Sequence, residues 1–256
     1  MTWPPAAATP AAAGRWWLLV PAAGFGARMG GDTPKQYRQL GGRSVLEITL
    51  SRFAGLPGLA GVVLVTGEGA PSGALAALDV AGVPIHRVPG GETRAESVRN
   101  GLAWFRDRWD VLSGGLAGEG LAEWVMVHDA ARPCVAPGDL HRLLAAARYP
   151  DGALLTAAVR DTIKRVDAEG RVTATVDRET LRHALTPQLF PVGVLLAAIE
   201  RGLAADAAIT DEASAVERLG LSPRAVDSAT DNLKITHAED LGIAHAILRR
   251  QGVLHD

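Results

Sequence analysis

The chain has 256 residues, 48% of them hydrophobic, with 26 Lys and Arg against 28 Asp and Glu for a formal net charge of -2. That balance argues against a bulk nucleic-acid binder, so any anion site must be local. A single cysteine, Cys134, excludes an internal disulfide framework and fits a reducing, cytoplasmic setting. No stretch approaches the roughly 18 unbroken apolar residues of a membrane span.

Residues 1–15, MTWPPAAATPAAAGR, are rich in Pro and Ala and carry neither the basic start nor the apolar core of a signal peptide; they read as a disordered extension. Residues 16–256 read as one α/β domain with a mainly parallel sheet. The first strand, Trp16 to Val20, breaks at Pro21 into a loop holding Gly24, Gly26, Gly30, Gly31 and the cations Arg28 and Lys35. Glycines let successive backbone N–H groups close on an anion, and a phosphate is the natural guest. No Gly-Lys pair occurs in the chain, which excludes a P-loop. Gly30, Gly31 and Pro34 keep the loop from opening a helix at once, and the next strand ends Val65-Thr66-Gly67 without a ribose-binding acid, which counts against a dinucleotide fingerprint.

A helix follows from Val45 to Phe53, then a strand at Val62 to Thr66, a helix at Ser72 to Leu78 and a strand at Pro84 to Val88. Gly90 and Gly91 turn the chain into a helix striped by Ala95, Val98, Leu102 and Phe105, with Thr93 and Glu96 as its capping box. Asp110 to Glu123 reads as a surface loop. The strand Trp124 to Val127 runs into His128, Asp129, Ala130, Ala131, Arg132 and Pro133. Ligands of open α/β sheets gather at strand carboxyl ends, and Asp129 sits at one, too early to cap the helix that Pro137 begins. A carboxylate there, facing a phosphate loop, suits Mg²⁺.

From Leu154 the rhythm changes. A strand to Val159 is followed by two alternating runs, Thr162 to Val166 and Val172 to Val176, around the turn letters Asp167 to Gly170: a β-hairpin arm over about residues 159–179. A lone two-stranded ribbon is marginally stable, so it is expected to pack on something else, most economically a second copy of the chain. A helix with Val192, Leu195, Leu196, Ile199 and Leu203 on one face comes next. Thr210, Asp211 and Glu212 read as the start of another, through capping alone. Asp231 to Thr236 reads as a short strand in which Lys234 points away from Leu233 and Ile235, into solvent or a cleft; Thr236 and Glu239 read as the capping box of the last helix.

The blocks AAGFGARM, PKQY, GGETRAESV, VHDAARP, RDTIKR, VDR, HALTPQ, TDEAS and DNLKIT, in that order between about Trp17 and Ile247, closely resemble the 2-C-methyl-D-erythritol 4-phosphate cytidylyltransferases of the non-mevalonate isoprenoid pathway. The resemblance implies a Rossmann-like nucleotidyltransferase fold, a homodimer joined through the hairpin arm, and CTP, a polyol phosphate and Mg²⁺ as ligands. It implies that Arg28 and Lys35 stabilise charge on the transferring phosphoryl group and that Ala22, Ala23, Gly24 and Gly26 meet the phosphates. Gly91, Glu92 and Ser97 would read the cytosine, and Asp129 would hold the metal. Arg132, Thr162, Arg178, Thr186 and Lys234 would bind the sugar phosphate, with Arg178 and Lys234 also among the catalytic residues and Arg178 reaching across from the partner subunit. Three other readings share parts of the pattern: a ribitol-phosphate cytidylyltransferase, a guanylyltransferase, and a non-catalytic nucleotide sensor.

Overall fold

A computed structural model describes residues 14–24, 33–108 and 123–254. Gly26, Arg28, Gly30 and Gly31, nearly all of the Pro/Ala-rich start, and most of the loop expected at 110–123 lie outside the described residues.

A seven-stranded sheet carries everything else. Within it β1 (Trp16–Ala22), an interior strand, pairs in parallel with β4 (Leu59–Thr66) on one side and β6 (Trp124–Val127) on the other. β5 (Ile85–Pro89) extends the sheet beyond β4, while β10 (Arg182–Pro191), β7 (Ala153–Ala158) and β11 (Arg224–Asp227) extend it beyond β6. β10 runs antiparallel to both of its neighbours; the other pairings in this sheet are parallel.

The unbroken apolar run Trp16 to Val20 is explained by burial on both faces. Trp16, Leu18 and Val20 pack with Leu46, Leu50 and Phe53 of the α1 region (helix Val45–Ser51) and with Leu140, Leu143 and Leu144 of α4 (Pro137–Ala145). Trp17 and Leu19 meet Val98, Leu102 and Phe105 of α3 (Arg94–Arg106), together with Leu195 and Ile199 of α5 (Val192–Ala204) and Val216 of α6 (Glu212–Glu217). α2 (Ser72–Ala76) lies between β4 and β5 in the chain. The last helix, α7 (Asp240–Arg250), closes a third cluster through Ala244 and Leu248 against Val45 and Ile48. Among the described residues, no helix is long and apolar enough to cross a membrane.

The capping box of Thr93 and Glu96 is present, as is a second one formed by Ser44 and Glu47 at α1. A small ribbon of β2 (Gln39–Leu40) and β3 (Arg43–Ser44) has no counterpart in the sequence reading. The expected hairpin is β8 (Ile163–Val166) with β9 (Val172–Val176), a sheet of its own that leaves Val166 and Val172 exposed at 53% and 62%.

The segment around His183 to Gln188 is part of strand β10, and Arg224–Asp227 is a strand as well; the sequence reading assigns neither. Three expectations are corrected. Asp211, not Thr210, caps α6, accepting from the Ser214 amide while Ser214 returns the bond. The segment 231–236 is not a strand: the Ile235 amide donates to the Ala131 carbonyl at 2.8 Å, and Asn232 is tied to the Thr186 carbonyl through its side-chain amide. Thr236 and Glu239 form no capping box; instead the Asp240 carboxylate accepts from the amides of Thr236 and His237, and the helix starts at Asp240, three residues later than expected.

Candidate active site

A cleft of about 390 Å³ opens at the carboxyl ends of β1, β5 and β6, lined among others by Ala22, Ala23, Gly24, Lys35, Gly91, Glu92, Ser97, Asp129 and Lys234. Residues separated by about 200 positions thus meet in one hollow, where open α/β sheets bind ligands. On one wall, Gln36 is buried and its side-chain amide donates to the carbonyls of Ala22 (2.7 Å) and Gly24 (3.1 Å). Those bonds occupy the carbonyls where β1 ends. Sequence reasoning assigns Gln36 no role, although it lies in the short motif with Lys35.

On the opposite wall, the turn before α3 is held by Ser97, whose hydroxyl accepts from the Gly91 amide at 3.1 Å. A hydroxyl that accepts one bond still has a proton to donate. Gly90 must be glycine here, because a Cβ would stand 2.3 Å from that of Ala23; the turn and the β1 loop come into direct contact. Lys35 follows Pro34 in a single 3-10 turn, Lys35–Tyr37, and its ammonium donates to the Ile235 carbonyl at 3.0 Å. Lys234, held between the anchored Asn232 and Ile235, turns into the cleft rather than to solvent.

Asp129 lies at the floor, only 7% exposed, with three cations on its carboxylate. Oδ1 accepts from Nε of Arg94 at 3.0 Å, while Oδ2 accepts from Nζ of Lys234 at 2.8 Å and faces Nε of Arg132 at 3.4 Å. Burial alone would raise this carboxyl, but Arg94, Lys234 and Arg132 overrule it and hold it well below the usual carboxylate range. Asp129 is therefore ionised at any physiological pH.

The backbone of Asp129 is fixed by a second chain of bonds. Its amide donates to Oγ1 of Thr186 at 3.1 Å, and the Thr186 hydroxyl stands 3.1 Å from Nδ1 of His128. Nε2 of His128 lies 3.0 Å from the Arg132 carbonyl, an acceptor only, so the ring carries its proton on Nε2 and takes the threonine's proton at Nδ1. The hydroxyl proton of Thr186 is thus committed to His128, while its oxygen holds the Asp129 amide in place.

Burial lowers the fully enclosed His128 to about 4, leaving it neutral in the fold. An unfolded histidine near 6.5 takes up a proton first, so the stabilisation from neutral His128 is complete above that value and fades as the pH falls toward 4. Melting temperatures are expected to drop between about pH 7 and pH 5, and to drop less in His128→Asn; an equal drop in both would place the titrating group elsewhere.

The family model described as IspD, 2-C-methyl-D-erythritol 4-phosphate cytidylyltransferase, matches residues 17–250. The chain belongs to this family. Relatives bearing that name include a protein of Aeromonas hydrophila, 50% identical over 91% of this chain and 89% of its own, and one of Ectopseudomonas mendocina, 51% identical over 89% and 93%. Among solved structures, the cytidylyltransferase of Thermus thermophilus is 32% identical and superposes with a TM-score of 0.69, covering 92% of this chain and 99% of that one. That of Francisella tularensis gives 30% and 0.70 over 91% and 100%. The architecture is accordingly the Rossmann-like nucleotidyltransferase fold of a cytidylyltransferase.

Of the residues expected from the family, Ala22, Ala23, Gly24, Lys35, Gly91, Glu92, Ser97, Asp129 and Lys234 line the cleft together. Arg132 stands behind Asp129, its Nη1 donating to the Asn232 carbonyl at 2.8 Å. Gly26 and Arg28 lie outside the described residues. Thr162 and Arg178 are exposed at the two ends of the hairpin and do not line this chain's own cleft; Arg178 bonds the Arg160 carbonyl rather than Asp177. Sequence reasoning passes over Arg94, Gln36 and His128. Arg94 stands inside one of the family blocks, but the partners that reveal its part lie 35 and 118 residues away.

Proposed function

We propose that the cleft transfers a cytidylyl group from CTP to 2-C-methyl-D-erythritol 4-phosphate, releasing pyrophosphate and giving 4-diphosphocytidyl-2-C-methyl-D-erythritol for isoprenoid synthesis. The observation that supports this most is the meeting, in one cleft, of the β1 backbone, Lys35, Lys234 and the ionised Asp129 opposite the Ser97-braced turn. A phosphate oxygen of the acceptor attacks the α-phosphorus of CTP as the bond to the pyrophosphate oxygen breaks. Such transfers are driven by positioning and by stabilisation of developing charge.

Each residue has a part that its placement supports. The backbone at Ala22, Ala23 and Gly24, fixed by Gln36, receives phosphate oxygens, with Gly26 and Arg28 continuing the same loop. Lys35 meets charge on the α-phosphoryl group and the leaving group. Cytosine presents an amino group that needs an acceptor and a ring carbonyl that needs a donor; the turn at Gly91 and Glu92 supplies the first and the Ser97 hydroxyl the second. Lys234 faces the acceptor's phosphate, with Arg132 adding its charge from behind Asp129; the nearly two negative charges call for such converging cations.

A divalent cation, Mg²⁺, fits the chemistry of Asp129. The group is an ionised, hard oxygen donor at the cleft floor, and among the described residues no cluster of three or more His, Cys, Asp or Glu side chains forms a cage. Mg²⁺ typically takes one or two carboxylates and completes its shell with phosphate oxygens and water. When bound it neutralises charge on the triphosphate. Lys234, the most exposed of the three cations on Asp129, is the one free to turn toward a phosphate instead.

The arm gives the second copy its role. Among the described residues β8 and β9 pair only with each other, and Val166 and Val172 present an apolar surface. In a homodimer this ribbon would bring Thr162 and Arg178 to the partner's cleft. Neither nucleic acid nor membrane enters the scheme, and a reducing cytoplasm suits the lone, buried Cys134.

Two experiments test the reading. Turnover should be highest with CTP and methylerythritol phosphate; preference for ribitol phosphate would overturn the acceptor, and GTP surpassing CTP would overturn the base assignment. Mixing inactive Arg178→Ala chains with inactive Lys35→Ala chains should restore activity through hybrid dimers. No recovery after proven subunit exchange would return Arg178 to its own chain's site.

A further inference from the structure

Glu212 is completely buried, yet it does not cap its helix, since Asp211 and Ser214 perform that task. Its carboxylate instead meets Arg94 through both oxygens, Oε1 at 2.7 Å from Nη1 and Oε2 at 3.2 Å from Nη2. The remaining Nε of the same guanidinium donates to Oδ1 of Asp129. One planar side chain therefore spans two carboxylates, one on α6 and one at the end of β6. A buried ion pair contributes little net stability, because desolvation offsets its attraction. The planar fork of arginine, by contrast, fixes direction as well as charge.

We propose that Arg94 and Glu212 are positioning residues of the transfer reaction. Glu212 anchors the Arg94 fork, which fixes the Asp129 carboxylate through Oδ1; Oδ2, held here by Lys234 at 2.8 Å with Arg132 at 3.4 Å, would be the oxygen released to a divalent cation when Lys234 turns to a phosphate. Glu212 also offsets one of the three positive charges around Asp129, which would otherwise repel that cation. Because Arg94 is the first residue of α3, the same fork links the turn assigned to the cytosine with the carboxylate assigned to the metal. The inference rests on the reading of Asp129 as the metal ligand.

The test uses Mn²⁺ as a spectroscopic probe, with the free ion counted by electron paramagnetic resonance in the presence of CTP and the full chain. Glu212→Gln should weaken Mn²⁺ binding roughly 10- to 100-fold, the usual cost of losing a group that orients a ligand. CTP affinity without metal should stay within about twofold of wild type, since no contact to the base or phosphates is removed. Arg94→Lys, which keeps the charge and loses the fork, should weaken Mn²⁺ in the same direction, and it decides the matter if Glu212→Gln does not fold. Glu217→Gln, on an exposed site of the same helix, is the control and should bind as wild type. Wild-type Mn²⁺ binding in both Glu212→Gln and Arg94→Lys would overturn the positioning role. Undiminished Mn²⁺ binding in Asp129→Asn would overturn the metal reading itself, a separate result.

Discussion

Asp129→Ala is expected to cost about 3–5 kcal/mol of folding stability, the range for removing one member of a buried charge network, and to leave no measurable turnover. The reason is not the lost attraction alone. Without the carboxylate, Arg132, whose side chain is 11% exposed, faces no anion across that gap, and Lys234 loses its partner in the cleft. Lys234 is reached by water, so the lower part of the range is the better expectation. The sign of the pH dependence follows from the depressed carboxyl. Stabilisation by ionised Asp129 is complete above the unfolded value near 3.9 and is lost as the pH falls toward the lower folded one. Urea unfolding of wild type and variant should therefore differ more at about pH 7 than at about pH 3. A gap that does not narrow in acid would mean the stabilisation comes from packing and not from charge.

Lys35→Ala should fold nearly as wild type and lose roughly 10²- to 10³-fold in kcat, about 2.7–4 kcal/mol, as when one donor to a transition-state charge is removed. In the nucleotide-free chain its ammonium makes a hydrogen bond to the Ile235 carbonyl, whose loss costs about 1 kcal/mol or less. The two measurements, thermal unfolding and single-turnover kinetics, should thus respond very differently. Full activity would show that the lysine does not reach the reacting phosphoryl group.

The parallel core is legible in the sequence because Trp16 to Val20 and Val62 to Thr66 are apolar without alternation, the mark of strands covered on both faces. The hairpin and the box of Thr93 and Glu96 are legible for a similar reason: their signals are local. Strand β10 is hidden by Pro187, since proline is excluded from central strands. It is tolerated because the pairing with β7 shifts between Ala184 and Gln188, just where a proline amide would have been needed. The false strand at 231–236 shows the converse. Its alternation is real, but it arises from Asn232 and Ile235 tying a loop down on either side of Lys234. At the site, residue types tell which groups face phosphate, whereas the Arg94 bridge and the Gln36 clamp depend on pairings across the chain that no local pattern carries.

The place of β1 inside the sheet, with a partner on each edge, bears on how the molecule assembles. Its two neighbours come from residues 59–66 and 124–127, both later in the chain, so during synthesis its second edge stays bare until residues 124–127 have been made. Pairings so distant in sequence form slowly, and an uncovered apolar strand is prone to aggregate while it waits. Overexpression should accordingly yield more soluble material when translation is slowed by cold or when a holding chaperone is supplied.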